Sequence, residues 1–206
     1  MPTLGVILAG GLSRRMGGGD KPLRRLAGRT LLDRVAARFA PQCAAGLILN
    51  ANGDPTRFAS LGLLMVPDGV PNNPGPLAGI LAGLDHAAVH HPEARNIVSV
   101  TGDAPFLPAD LVTRLDAARQ DAGVPIVVAA SGGRQHFTTA LWDVSLRADL
   151  REALVERDER RVGAYLARHG AAAVEWPIEP VDPFLNVNTL EDLDRAELLL
   201  ARLDPP

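Results

Sequence analysis

Thr3–Lys21 reads TLGVILAGGLSRRMGGGDK. It opens as an apolar run of strand length. It then gives up side chains at Gly10, Gly11, Gly17, Gly18 and Gly19 and supplies the cations Arg14, Arg15 and Lys21. Glycine admits backbone angles and close approaches closed to other residues. Backbone N–H groups with cations beside them make a cradle for a polyphosphate. The two commonest phosphate loops fit poorly, however. Lys21 is followed by Pro22 where the Walker pattern requires Ser or Thr. The dinucleotide fingerprint also fails, because Asp20, Lys21 and Pro22 follow the glycine triplet. Its second strand should close on an acidic residue, and GLILNAN ends at Asn50 instead.

Outward from this stretch, strand-length apolar runs alternate with amphipathic segments. TLLDRVAARFA carries Leu31, Leu32, Val35, Ala36 and Phe39 at helical spacing. GLILNAN and LLMVPD read as strands, with PTRFASL a short helix between them. After the Pro/Gly loop GVPNNPGP come a helix, LAGILAGLDHAAVHH, and a strand, NIVSVTGD. PADLVTRLDAARQDAG is a helix with Asp110 in its first turn and Gly123 as its stop. PIVVAAS, HFTTALWDV and AAAVEWP add strands, LRADLREALVERDERRVGAYLARHG a helical pair, and TLEDLDRAELLLARL a terminal helix capped at Thr189. Strands separated by helices predict right-handed βαβ units, hence an α/β fold with a mostly parallel sheet covered on both faces. Residues 1–206 are expected to form a single domain, long enough to bury its own core.

Ligands of open α/β sheets bind beyond the carboxyl ends of the strands. The polar residues at those ends are Asn50, Asp68 and Asp103, on the edge that also carries the glycine loop. A reaction at the α-phosphate of a nucleoside triphosphate needs backbone amides, Arg and Lys, and a divalent cation held by a carboxylate. Magnesium takes only one or two protein carboxylates, which suits the lone Asp103 of VTGDAPF. Arg15 and Lys21 are the candidate triphosphate cations; Arg14, Arg24 and Arg25 read as surface charges.

Composition removes other classes. A net charge of −3 gives no electrostatic case for nucleic acid or an anionic membrane as partner. The single cysteine, Cys43, excludes an intramolecular disulfide and a cysteine-rich zinc site. The apolar runs LGLLMV and GILAGL fall far short of the roughly 20 residues of a spanning helix. No basic region precedes LGVILAGGL, so a first core strand is expected there, not a signal peptide, and the cytoplasm is the expected compartment.

LAGGLSRRMGGGDK, NAN, PGPLAGI, TGDAPFLP and FLNVNTLEDL occur in the order found in molybdenum cofactor guanylyltransferases, a family this chain resembles over nearly its whole length. The first motif marks the wider nucleotidyltransferase superfamily; LAGG together with PGPLAG and NVNT fits the guanylyltransferase branch. The resemblance implies a Rossmann-like three-layer sandwich of the nucleotide-diphospho-sugar transferase type. It implies transfer of GMP from GTP to the terminal phosphate of molybdopterin, with Mg²⁺ as cofactor and pyrophosphate as second product. By the same resemblance Leu8, Ala9 and Gly10 line the nucleotide, Gly11 opens the phosphate loop, and Arg15 and Lys21 meet the triphosphate. Asn50 and Asp68 contact the nucleotide, Asp103 holds the metal, and Asn186 and Asn188 lie near the reacting centre or the pterin. Transient contacts with cofactor biosynthesis proteins and molybdoenzyme chaperones are implied as well. One departure falls on the acceptor side: Phe137 follows His136 where family members often carry proline.

Rival readings are a cytidylyltransferase for the same cofactor, a sugar-phosphate nucleotidyltransferase, and a catalytically silent nucleotide sensor. LAGG in place of LAAG argues against cytidine, and intact Lys21 and Asp103 argue against a decayed sensor. His86 and His90 have metal-ligand spacing but no evident third ligand. ERDERR reads as a solvated turn, Ser131 lacks a nucleophile context, and Trp142 and Trp176 read as packing residues.

Overall fold

Residues 2–10, 21–71 and 75–203 are described by the computed structural model. In chain order they form β1 (Thr3–Leu8), a ribbon of β2 (Arg25–Leu26) and β3 (Arg29–Thr30), α1 (Leu31–Phe39), β4 (Leu47–Asn50), β5 (Leu64–Val66), α2 (Pro76–His90) and β6 (Asn96–Thr101). Then follow α3 (Leu111–Ala122), β7 (Ile126–Ser131), β8 (Arg134–Asp143), α4 (Arg147–Val155), α5 (Val162–Arg168), β9 (Ala172–Trp176) and α6 (Leu190–Leu203). Seven strands make one sheet in the order β5-β4-β1-β6-β8-β7-β9. β1 pairs in parallel with both β4 and β6, which is why its buried run is continuously apolar.

All strands of this sheet share one direction except β8, which runs antiparallel to both β6 and β7. No helix separates β7 from β8, and that is what lets β8 run back antiparallel between β6 and β7. Gly132 and Gly133 join them in a two-residue turn with φ of 55° and 73°, the double positive φ of a type I′ hairpin.

The side chains of the strands alternate between two cores. Ile7, Leu49, Val98 and Val127 pack with Leu32, Val35 and Phe39 of α1 and with Leu111 and Leu115 of α3. Leu4, Val6, Ile48 and Val128 pack with Leu77, Ile80 and Leu84 of α2, Leu150 of α4 and Tyr165 of α5. Helices therefore cover both faces, giving the expected three layers. Trp142 is fully buried and donates from Nε1 to Ser99 Oγ at 2.9 Å. Asp110 sits just before α3, where its carboxylate accepts from Trp176 Nε1 at 2.9 Å, rather than within the first helical turn.

Two helix starts hold the edge that matters. Thr30 and Asp33 form a reciprocal capping box on α1. In the first turn of α6, Asp192 accepts the backbone N–H groups of Asn188 and Thr189, and its own N–H donates to Thr189 Oγ1. The chain moves outward from β1 to β4 and β5, then crosses to β6 on the other side. The carboxyl ends of β1 and β6 thus flank the point where strand order reverses, the standard ligand crevice of an open α/β sheet.

Candidate active site

Leu8, Ala9 and Gly10 end β1 at this crevice. The Ala9 N–H donates to Asn50 O at 2.9 Å and the Gly102 N–H to Leu8 O at 3.0 Å, so the turns after β4 and β6 are stitched to β1. Gly11 and Arg15, together with Arg14 and Asp20, lie outside the described residues. Lys21 is placed. Its ammonium pairs with Asp103 Oδ2 and donates to Asn188 Oδ1, bringing together groups 82 and 167 positions apart in sequence. The Lys21 and Asp103 side chains are only 15% and 17% exposed, so the pair is largely shielded from solvent. The other Asp103 oxygen, Oδ1, is buried and has no hydrogen-bond partner among the described residues.

The segment Asp182–Asn188 lies over the end of β6. The Val187 N–H donates to Asp103 O at 3.0 Å, and Asn186 Oδ1 accepts from Thr101 Oγ1 at 3.2 Å. Asn186, Asn188, Asp103 and Lys21 are therefore gathered at the end of β6.

Asn50 and Asp68 form a second group at the ends of β4 and β5. Asn50 Nδ2 donates to Asp68 Oδ1 at 2.9 Å and to Val66 O at 3.1 Å. Asn52 Nδ2 donates to Asp68 Oδ2 at 2.8 Å, while its Oδ1 accepts the Asp68 N–H at 2.9 Å. Both Asp68 oxygens are thus engaged in bracing two strand ends. α2 comes close enough to touch this group only because position 79 is glycine. A Cβ there would fall 2.1 Å from Asn50 Oδ1.

Beyond Asn186 opens a cavity of about 630 Å³, lined by Thr101, Arg134, His136, Phe137, Arg161 and Asn186 among others. Its described lining includes two arginines and no carboxylate. Phe137, 43% exposed, lies against Gly163 of α5, where a Cβ would meet its ring at 2.9 Å. At the wall of the cavity His136 Nε2 contacts Ser131 Oγ at 2.7 Å, and that hydroxyl donates to Asp182 Oδ1 at 2.8 Å. Serine, not histidine, is the bridge, so this trio lacks the arrangement of a nucleophilic triad.

The sequence reading passes over Asn52, Thr101, His136, Arg161 and Asp182. Asn52 and Thr101 each stand two residues from a residue it selects, at the carboxyl ends of β4 and β6, and that proximity to the crevice edge is a usable signal. Arg161 sits in a charged run that reads as a solvated turn. Of the residues set aside, Trp176 packs edge-on to Phe184 at 5.4 Å under the Arg114 guanidinium. His86 rests on His90, and no cluster of three metal-binding side chains exists among the described residues.

A family model described as a MobA-like NTP transferase domain matches residues 5–172, most of the chain. The chain belongs to the MobA-like nucleotidyltransferase family. Among MobA-like proteins, it is 58% identical to the molybdenum cofactor guanylyltransferase of Bradyrhizobium sp. (strain ORS 278), over 97% of this chain and 94% of that one. It is 56% identical to the protein of the same name from Rhodopseudomonas palustris (strain BisB5), over 97% and 95% of the two chains. The fold matches that of molybdopterin-guanine dinucleotide biosynthesis protein A from Archaeoglobus fulgidus, with a TM-score of 0.73 at 23% identity over 97% and 100% of the chains. The nucleotide-diphospho-sugar transferase type of sheet expected from the resemblance is therefore the one found.

Proposed function

We propose that this chain transfers GMP from GTP to the terminal phosphate of molybdopterin, releasing pyrophosphate. The observation that carries the reading is the meeting of Lys21, Asp103 and Asn188 at the switch-point edge, with Asp103 Oδ1 buried and without a hydrogen-bond partner among the described residues. A buried anionic oxygen lacking a donor suits a hard divalent cation, and Asp103 is the residue that would hold Mg²⁺. When bound, Mg²⁺ supplies positive charge to the phosphate oxygens of GTP and to the departing pyrophosphate.

The remaining work falls to the chain. Lys21, released from Asp103, neutralises the triphosphate, and the backbone of Leu8, Ala9 and Gly10 lines the nucleotide. Arg15 and Gly11 keep the phosphate-loop roles that the family resemblance gives them. Asn50 and Asp68, held rigid by Asn52, contact the nucleotide at the far side of β1. Asn186 and Asn188 border the acceptor. Its phosphate is already an anion at neutral pH and needs no general base, so in-line alignment and charge stabilisation are the catalytic tasks. The names of the close relatives support guanylyl transfer and the molybdenum cofactor, and the name of the Archaeoglobus protein supports molybdopterin; the residues themselves supply a nucleoside triphosphate.

No helix among the described residues is long and apolar enough to cross a membrane. We place the reaction in the cytoplasm, within a single nucleotidyltransferase unit, with hand-over to cofactor biosynthesis proteins and molybdoenzyme chaperones by transient contact. The deciding experiment is Mg²⁺-dependent pyrophosphate release from GTP, CTP, ATP and UTP, with and without molybdopterin. Release from GTP alone, and only with the pterin, is the expected result. Release from CTP overturns the base, and release from no triphosphate by folded protein overturns the enzyme.

A further inference from the structure

Ser131, His136 and Asp182 come from the end of β7, the start of β8 and the loop before α6, and they form a chain of hydrogen bonds with a determined direction. A serine hydroxyl has one proton to give, and an ionised carboxylate only accepts. The Ser131 proton therefore goes to Asp182 Oδ1, and the 2.7 Å contact with His136 Nε2 must be a donation from the ring to Ser131 Oγ. In the neutral ring this fixes the Nε2–H tautomer and leaves Nδ1 as a lone-pair acceptor. Among the described residues Nδ1 has no hydrogen-bond partner, and the ring lines the cavity beyond Asn186. Phe184 backs the ring at a centroid distance of 4.8 Å and holds its plane.

The surroundings of the ring favour its neutral form. Burial lowers the His136 pKa below the ordinary histidine value; Asp182 opposes this, Arg134 adds to it and Glu175 opposes it. Arg161 is the other charged group lining this cavity. Among the described lining residues, two arginines, no carboxylate, an apolar wall from Phe137 and Phe184 and one imidazole acceptor suit a particular guest. It carries a phosphate, a flat ring and at least one ring or amino N–H.

Given an acceptor that is a phosphorylated pterin, we propose that His136 binds the pterin through Nδ1, accepting an N–H of the ring, with Ser131 and Asp182 as the positioning residues that set its tautomer. The same Asp182 oxygen accepts the Phe184 N–H at 3.0 Å, so the link that orients His136 also seats the segment carrying Asn186 and Asn188. The cavity and the Lys21–Asp103 edge are thereby registered to each other.

Two isosteric changes test this. His136→Gln keeps a donor for Ser131 and deletes the acceptor; His136→Asn keeps an acceptor close to the Nδ1 position and drops the reach to Ser131. The readouts are affinity for an oxidised, metal-free pterin monophosphate, the separate KM values for molybdopterin and GTP, and the ¹⁵N spectrum of labelled histidine in the whole protein. The expected wild-type spectrum assigns Nε2–H to His136 at neutral pH. His136→Gln is expected to weaken pterin binding about tenfold, the worth of one hydrogen bond to a partly buried group, with the KM for GTP unchanged. His136→Asn should recover part of that loss. An Nδ1–H signal in the wild type overturns the proposal, as does His136→Gln binding the pterin like wild type while His136→Asn fails, which is the pattern of a purely structural histidine. If the wild-type protein neither binds the pterin nor turns over GTP with molybdopterin, the guanylyl-transfer reading falls and takes this proposal with it.

Discussion

Lys21 and Asp103 neutralise each other, and guanylyl transfer requires that they part. Among the described residues Asp103 Oδ1 has no donor, and Oδ2 has the Lys21 ammonium, which a triphosphate would attract away, so the carboxylate can change partners. Asp103→Ala should therefore lower Mg²⁺-dependent pyrophosphate release roughly 10²–10³-fold, the usual cost of removing a charge-stabilising group. Its melting temperature should stay close to wild type, since Lys21 retains Asn188. Near-normal release by folded Asp103→Ala protein would remove Asp103 from the metal role. Cys43 is the opposite kind of residue. Burial pushes its thiol up to about 12, leaving roughly one thiolate in ten thousand at pH 8. A chromogenic disulfide reagent should leave the native protein unlabelled and react fully once denaturant is added. Labelling of native protein at the rate of free cysteine would contradict the burial.

Helix α2 approaches the sheet through glycine at two places, and only one of them faces the crevice. A Cβ at Gly79 would meet Asn50 Oδ1 at 2.1 Å, and one at Gly83 would meet Val6 Cγ2 at 2.6 Å. Both alanine variants should lose about 1–3 kcal/mol by overpacking, measured by denaturant unfolding. Gly79→Ala alone should also weaken GTP binding, because it displaces Asn50 from Asp68. Equal loss of GTP affinity in both variants would mean that the effect is general loosening of α2. At this scale much was legible in advance. Apolar runs of strand length marked β1 and β4, the β-branched run of NIVSVT marked β6, and the 3.6-residue spacing of Leu31, Leu32, Val35 and Phe39 marked α1. The reversal of β8 was not read, though Gly132-Gly133 between two strand patterns is a hairpin signal. The residues at the parallel strand ends were readable because topology puts all of them on one edge. Ser131, His136 and Asp182 were not, since a hydrogen-bonded trio drawn from three separate segments has no spacing to recognise.

Taken as a whole, the molecule divides its crevice between two supports. The ends of β1, β4 and β5 carry the Asn50–Asp68 group, while β6, β8, α5 and the segment before α6 enclose the cavity. α5 owes its position to Asp149 on α4, whose carboxylate accepts from Tyr165 Oη at 2.8 Å, His169 Nε2 at 2.9 Å and the Arg157 and Arg168 guanidinium groups at 3.2 Å. Burial alone would raise the Asp149 pKa, but the hydrogen bonds from Tyr165, His169 and Arg168 outweigh it and hold the group at about 2, below the ordinary aspartate range. A depressed folded pKa means that the unfolded chain binds more protons in this window. The stabilisation is therefore complete above the unfolded value and is lost as pH falls through about 2. Asp149→Asn should melt below wild type by a margin that is constant above about pH 5 and shrinks toward zero near pH 2. Because Val162, Gly163 and Ala164 of α5 line the cavity, the same variant should raise the KM for the pterin acceptor and leave the KM for GTP alone. A margin that grows on acidification would reverse the sign of the linkage, and equal shifts in both KM values would mean that the two halves of the crevice are not separately supported.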